Sequence, residues 1–168
     1  DYAGQFPDDL ASMQALPGIG RSTAGAILSL ARGQHHAILD GNVRRVLARH
    51  TATPGWTGAA SVQKRLWLEA ESRLPASRGA DYSQAVMDLG ALVCTRRRPR
   101  CGTCPVAADC VALKRGVVDD LPEPKPKANI GERRMHMLIV RDTKGRVLLE
   151  KRPAAGIWGG LWCLPEGD

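Results

Sequence analysis

No stretch of this 168-residue chain approaches the ~18 consecutive apolar residues that span a bilayer, and no basic-then-apolar leader opens it. Nothing points to a membrane or to secretion. Internal repeats are absent, as is any low-complexity tract beyond one proline-rich stretch. An even cysteine count is missing too. There are five, and four of them lie between positions 94 and 110, which suits a ligand cluster in a reducing compartment better than a disulfide framework. The expectation is a soluble intracellular protein. Residue 1 is Asp rather than Met, and the chain stops soon after a Trp-Cys-Leu run, so a segment of a longer protein is expected.

What is present is positive charge and helical periodicity. A formal net charge of +7 favours a polyanionic partner such as nucleic acid. Leu10, Met13 and Leu16 keep helical spacing after the acidic pair Asp8-Asp9, and Ala24, Ile27, Leu28 and Ala31 form a second stripe that Gly33 closes. Val43, Val46, Leu47 and His50 repeat the pattern. Ala59, Val62, Leu66 and Ala70 predict a fourth helix, and Tyr82, Ala85, Val86, Leu89 and Val93 a fifth, with Asp81 and Gln84 spaced as a capping box. Residues 1–114 therefore read as an all-α domain. Residues 115–134 carry Pro122, Pro124 and Pro126 among scattered charges and read as an unpacked linker. From 135 to 168, the runs Met135–Arg141 and Arg146–Lys151, joined through Asp142-Thr143-Lys144-Gly145, predict a hairpin that begins a β-containing domain. Trp158, Trp162 and Cys163 read as packing residues of that domain.

Four features carry chemistry. Cys94, Cys101, Cys104 and Cys110, spaced C-x6-C-x2-C-x5-C, bring four thiolates around one centre. Structural zinc usually takes two tight knuckles and only the middle pair here is tight, which favours an iron–sulfur cluster and leaves zinc as the alternative. Between the first two cysteines, Arg96, Arg97, Arg98 and Arg100 form a basic loop tethered at both ends, suited to gripping phosphates. Third, in Leu16-Pro17-Gly18-Ile19-Gly20-Arg21-Ser22, Gly18 and Gly20 can adopt positive φ and let backbone N–H groups reach a phosphate at the start of the next helix. Fourth, Asp40 stands where the following helix needs an N-cap. A carboxylate there also faces the sugar of a nucleotide held by the glycine turn, where it can stabilise positive charge at the anomeric carbon as a base departs.

The stretch from Leu16 to Ile27, the stretch Leu39-Asp40-Gly41-Asn42-Val43-Arg44-Arg45-Val46-Leu47-Ala48-Arg49 and the cysteine spacing together resemble the helix-hairpin-helix, iron–sulfur DNA glycosylases, those of the adenine-excising MutY type most closely. Gly156-Ile157-Trp158-Gly159-Gly160-Leu161-Trp162 resembles the start of that family's Nudix-like C-terminal domain. The resemblance implies a mainly α glycosylase domain over 1–114 with a [4Fe-4S] loop at 94–110, a linker, and the beginning of an α/β Nudix-like domain at 135–168. It implies a monomer acting on double-stranded DNA, flipping out and removing adenine mispaired with 8-oxoguanine; extrusion is required because a stacked base hides its glycosidic bond. The compartment implied is cytoplasmic and nucleoid-associated in a bacterium, nuclear or mitochondrial in a eukaryote.

Residue by residue, Asp40 matches the family's catalytic aspartate, Asn42 lies where it can orient the site, and Gly18, Gly20, Arg21 and Ser22 match its DNA-gripping turn. Ser22 stands where the related endonuclease III enzymes carry a nucleophilic lysine, so base removal without efficient strand cleavage is implied. The family's general acid, a glutamate in an N-terminal helical segment, has no counterpart in these residues, and weak activity is expected of them alone. His35 and His36 read as cap or surface residues rather than substitutes. Two rival readings are an endonuclease III-like enzyme for oxidised pyrimidines and a non-catalytic DNA-binding module with structural zinc.

Overall fold

The computed structural model describes residues 2, 4–127 and 131–167, which divide into two compact units at 126/127. Residues 128–130, inside the stretch read as a linker, lie outside the described residues, as do 1, 3 and 168.

Helix periodicity in the first unit produces six α-helices in chain order: α1 Leu10–Gln14, α2 Arg21–Ala26, α3 Gly41–His50, α4 Ala60–Ser72, α5 Gly79–Asp88 and α6 Val111–Arg115. Asp9 caps α1, its side chain accepting from Ser12 N–H at 2.9 Å. Both α2 and α5 run on into π-helical turns, Ile27–Ala31 and Leu89–Val93, so the stripe over 24–31 stays helical but widens by one residue per turn. Gly33 follows the first of these at φ +65°, as a helix stop requires.

The expected capping box at Asp81 and Gln84 does not form. Helix α5 begins three residues earlier than that box requires, after Arg78 in a left-handed conformation; Asp81 sits in the first turn bonded to Arg78, and Gln84 bonds Asp88.

The main core joins α3 to α4 through Leu39, Val43, Leu47, Val62, Leu66 and Ala70. A smaller core joins α1 to α2 through Met13, Ala24 and Leu28. At roughly 1.5–3 kcal/mol for each fully buried large aliphatic side chain, these faces are what hold helices as short as α1 and α2 in place.

The stretch read as an unpacked linker packs for its first half. Leu121 is buried, Arg49 Nε donates to the carbonyls of Val118 and Leu121 at 3.0 and 2.7 Å, and Glu123 accepts from Gly55 N–H at 2.7 Å. Prolines suit this extended path because few of its backbone donors are used.

In the second unit, β1 His136–Met137 pairs antiparallel with β4 Glu166–Gly167, and β2 Glu150–Lys151 with β3 Trp162–Cys163. The expected hairpin is present but narrow: Leu148 N–H bonds Val140 O, Arg141 bridges Val147, and Asp142 Oδ1 accepts from the backbone of Lys144 and Arg146. Those backbone bonds hold the Asp142 carboxyl below its ordinary pKa. Trp158 and Trp162 are not packing residues here; they are 60% and 64% exposed. Cys163 is half-buried, its sulfur accepting from Arg152 at 3.6 Å.

Candidate active site and cluster loop

Leu16 to Ser22 form a tight hairpin between α1 and α2. Ile19 N–H closes it on Leu16 O at 3.1 Å, and Gly18 takes φ +80°, where a side chain would strain the backbone. Gly20 departs from expectation. It is the N-cap of α2 at φ −86°, an extended conformation open to any residue. Among the described residues no side chain caps α2, so its first amides remain available to an anion. Arg21 also departs: its guanidinium pairs with Glu71 and lies 3.9 Å from the Trp67 ring centre, turned onto α4.

Ser22 turns inward as well, and its Oγ accepts the Leu39 backbone N–H at 3.0 Å. The hairpin helix is thereby fastened to the residue that precedes Asp40. Gly25 lets α2 approach the same strand of chain, since a Cβ there would lie 2.8 Å from Ala37 O. Asp40 is the N-cap of α3, its Oδ1 accepting Val43 N–H at 2.7 Å. Among the described residues Oδ2 has no hydrogen-bond partner. A half-buried carboxylate held by one oxygen and free at the other can face a developing cation without moving.

Asn42 does not reach Asp40. Its Oδ1 accepts from Arg45 at 2.9 Å, and the residue packs so closely on the π turn after α5 that a Cβ at Gly90 would meet its Cβ at 2.7 Å and its backbone at 2.9–3.0 Å. Arg45 continues the chain of contacts, donating to Cys94 O at 2.7 Å and to Gly90 O. Burial draws its pKa down from the ordinary arginine value, an effect opposed by Cys94.

One turn further, Arg49 is only 2% exposed and donates to Thr95 O at 2.7 Å, Arg96 O at 3.3 Å and Cys94 Sγ at 3.4 Å. A guanidinium buried so deeply is tolerable because backbone carbonyls replace its water. Neither Arg45 nor Arg49 was singled out by the sequence reading. Their i, i+4 spacing on a helix that begins at Asp40 was the available signal.

These two arginines anchor the cysteine loop. All four of Cys94, Cys101, Cys104 and Cys110 line a single cavity with Arg49, Val93 and Leu113. Burial pushes the Cys101 thiol up from its ordinary pKa, and Cys94, Cys104 and Cys110 push it further. Thiolates that repel one another in a half-buried ring are what bound cations neutralise. Among the described residues no three Cys, His, Asp or Glu side chains converge as ligands of one metal ion. Four thiols ringing one cavity do fit a cluster, in which each sulfur binds its own iron.

Outside the ring, Arg96, Arg97 and Arg98 are exposed, with Arg98 left-handed at φ +53°. Arg100 is exposed too, but its guanidinium is held by Leu92 O. His35 and His36 bond to Pro75 O and Gln34 Oε1, away from Asp40.

Comparison with known proteins supplies the lineage. Residues 1–30 match the helix-hairpin-helix motif, 94–110 the iron–sulfur binding domain of endonuclease III, and 136–168 the NUDIX domain. The adenine DNA glycosylase of Buchnera aphidicola subsp. Schizaphis graminum is 34% identical over 168 residues, covering 100% of this chain and 48% of that protein. The chain is homologous to the adenine DNA glycosylases. The human adenine DNA glycosylase is 43% identical over 116 residues, covering 68% of this chain and 21% of that protein. The chain spans about half the length of the first curated relatives it matches.

Among solved structures, a thermostable thymine-DNA glycosylase aligns with TM-score 0.57 at 30% identity, over 68% of this chain and 52% of that one. A trapped endonuclease III–DNA covalent intermediate aligns with TM-score 0.55 at 25% identity, over the same shares. The fold is that of helix-hairpin-helix, iron–sulfur DNA glycosylases, and the loop at 94–110 is the family's [4Fe-4S] segment. Among the described residues no helix is long and apolar enough to cross a membrane.

Proposed function

We propose that this chain carries the aspartate, DNA-gripping hairpin and cluster loop of an enzyme that hydrolyses the N-glycosidic bond of adenine opposite 8-oxoguanine in double-stranded DNA. The observation that carries the reading is Asp40, capping α3 through one oxygen while the other stays free, directly after a residue bonded to the hairpin's Ser22.

In this reading the first amides of α2 hold a phosphate and the flipped adenosine enters with its sugar toward Asp40. The C1′–N9 bond breaks with its electron pair going to the adenine, and the free carboxylate oxygen stabilises the cationic sugar. Water then adds at C1′, and its proton balance closes on the departing adenine. The described contacts put no amine at position 22: Ser22 is a hydroxyl already bonded to Leu39 N–H, which supports hydrolysis without Schiff-base chemistry. When bound, the [4Fe-4S] cluster supplies charge and crosslinking to the basic loop. Cys94, Cys101, Cys104 and Cys110 would hold it, and Arg45 and Arg49 fix the Cys94 end.

Structural relatives include a thymine-DNA glycosylase and endonuclease III, so substrate choice is the point to test. Single-turnover assays of the full-length protein should release free adenine from adenine:8-oxoguanine duplexes, with poor borohydride trapping. Excision of an oxidised pyrimidine, or efficient trapping on an abasic duplex, would move the chain to the endonuclease III reading.

A further inference from the structure

Beside the Asp40 site, a cavity of about 470 Å³ opens between the first turns of α3, the cysteine loop and residues 119–124. Four arginines line it. Arg45 and Arg49 are committed to backbone carbonyls of the cysteine loop and the 118–121 segment, so they form a fixed wall. The other two are not committed. Arg44 donates through Nε to Leu39 O at 3.2 Å, and among the described residues its terminal nitrogens have no partner; nor has the exposed Arg96 side chain. Asp119 and Asp120 also line the cavity, are exposed, and among the described residues make no ion pair.

Arginines and aspartates that served only to hold this segment would be expected to neutralise one another across the cavity. They do not. Two guanidiniums are left with bidentate capacity, in a space within the range that accepts a ligand. The bond from Arg44 to Leu39 O places its head group beside the residue that precedes Asp40. We propose that this cavity is a phosphodiester site for the DNA strand presented to Asp40, with Arg44 and Arg96 as its donors and Asp119 and Asp120 as carboxylates that weaken the hold. The proposal rests on the DNA glycosylase reading and goes beyond it by joining Arg44 to Arg96 in one site and by giving Asp119 and Asp120, which no motif covers, a part in it. Arginines alone would retain any stretch of duplex. Opposing carboxylates lower that sequence-blind attraction, so that retention depends on the flipped nucleotide being seated as well.

The test is DNA binding across a salt series, using the full-length protein and a duplex carrying adenine opposite 8-oxoguanine. Arg44→Gln and Arg96→Gln should each weaken binding and flatten the slope of log affinity against log salt by about 1. Asp119→Asn with Asp120→Asn should move affinity the other way, most for undamaged duplex. Iron content checks that each variant keeps its cluster, and the exposed aspartates keep the test decisive if Arg44→Gln folds poorly. An unchanged salt slope in the double arginine variant would overturn the proposal, as would unchanged or weaker binding in the aspartate pair. Wild-type protein that shows no salt-dependent duplex binding would instead remove the glycosylase reading itself.

Discussion

The glycine hairpin and the cysteine loop, the two surfaces we propose meet DNA, are stiffened by opposite means. The hairpin is local. One left-handed glycine, one turn hydrogen bond and an uncapped helix start do the work, while Arg21 lies along the surface of α4 on Glu71 and Trp67 and Ser22 turns in to Leu39. The loop is held from a distance. Its arginines 96–98 face solvent, and its backbone is fixed by Arg45 and Arg49, about fifty residues earlier in the chain. Helix α3 joins the two, with Asp40 at one end and the arginine clamp along its length. A carboxylate at the start of such a helix is braced at Leu39 by the hairpin and through Asn42, Arg45 and Arg49 by the loop.

The comparison breaks most completely if the loop loses its cluster. Cys104→Ser should abolish the iron-dependent visible absorbance and duplex binding together, while the hairpin, which needs no metal, keeps its helical signal in circular dichroism. Next in size is Arg49→Met. It strips several carbonyls of a buried donor and should destabilise the helical unit by about 3 kcal/mol in chemical denaturation, with iron retained less firmly. Smaller is Ser22→Ala. Losing the bond to Leu39 N–H should cost about 1 kcal/mol in stability, yet single-turnover excision should fall further than that figure implies, because Asp40 is then less well placed.

Smallest is a pH effect confined to the loop end of α3. Burial first, then Arg73 and Lys114, lower the pKa of His50 from its ordinary 6.5, against an opposing pull from Asp109 in the cysteine loop. The folded state therefore binds this proton less readily than the unfolded chain. Its contribution is intact above pH 6.5 and is lost as pH falls through that value toward the lowered folded pKa. His50→Gln should flatten the change in urea midpoint between pH 7.5 and 5.5; an unaltered change would place the acid sensitivity elsewhere.

Sequence alone reached those parts that rest on local chemistry. Gly18 needed only its turn, Asp40 only its place before a helical stripe, and the four cysteines only their spacing. It stopped short where a side chain's resting place is set by tertiary packing. Nothing local distinguishes an Arg21 that reaches DNA from one that stacks on Trp67, nor an Asn42 that orients Asp40 from one that accepts from Arg45. The first half of the proline-rich stretch packs for the same reason: Leu121 is buried and its carbonyl accepts from Arg49, which lies far away in the chain. In the second unit, two short runs joined through the Asp142–Gly145 turn predicted the hairpin, but β1 finds its partner at 166–167, about thirty residues away.

The central claim is that Asp40, held at the junction of hairpin and loop, supplies the charge that lets adenine leave. Asp40→Asn in the full-length protein, followed by single-turnover adenine release from adenine:8-oxoguanine duplexes with iron content and duplex affinity measured on the same sample, tests it most directly. The amide can still cap α3, so the account predicts a full cluster, retained binding and excision lost. Undiminished excision by that variant would contradict it.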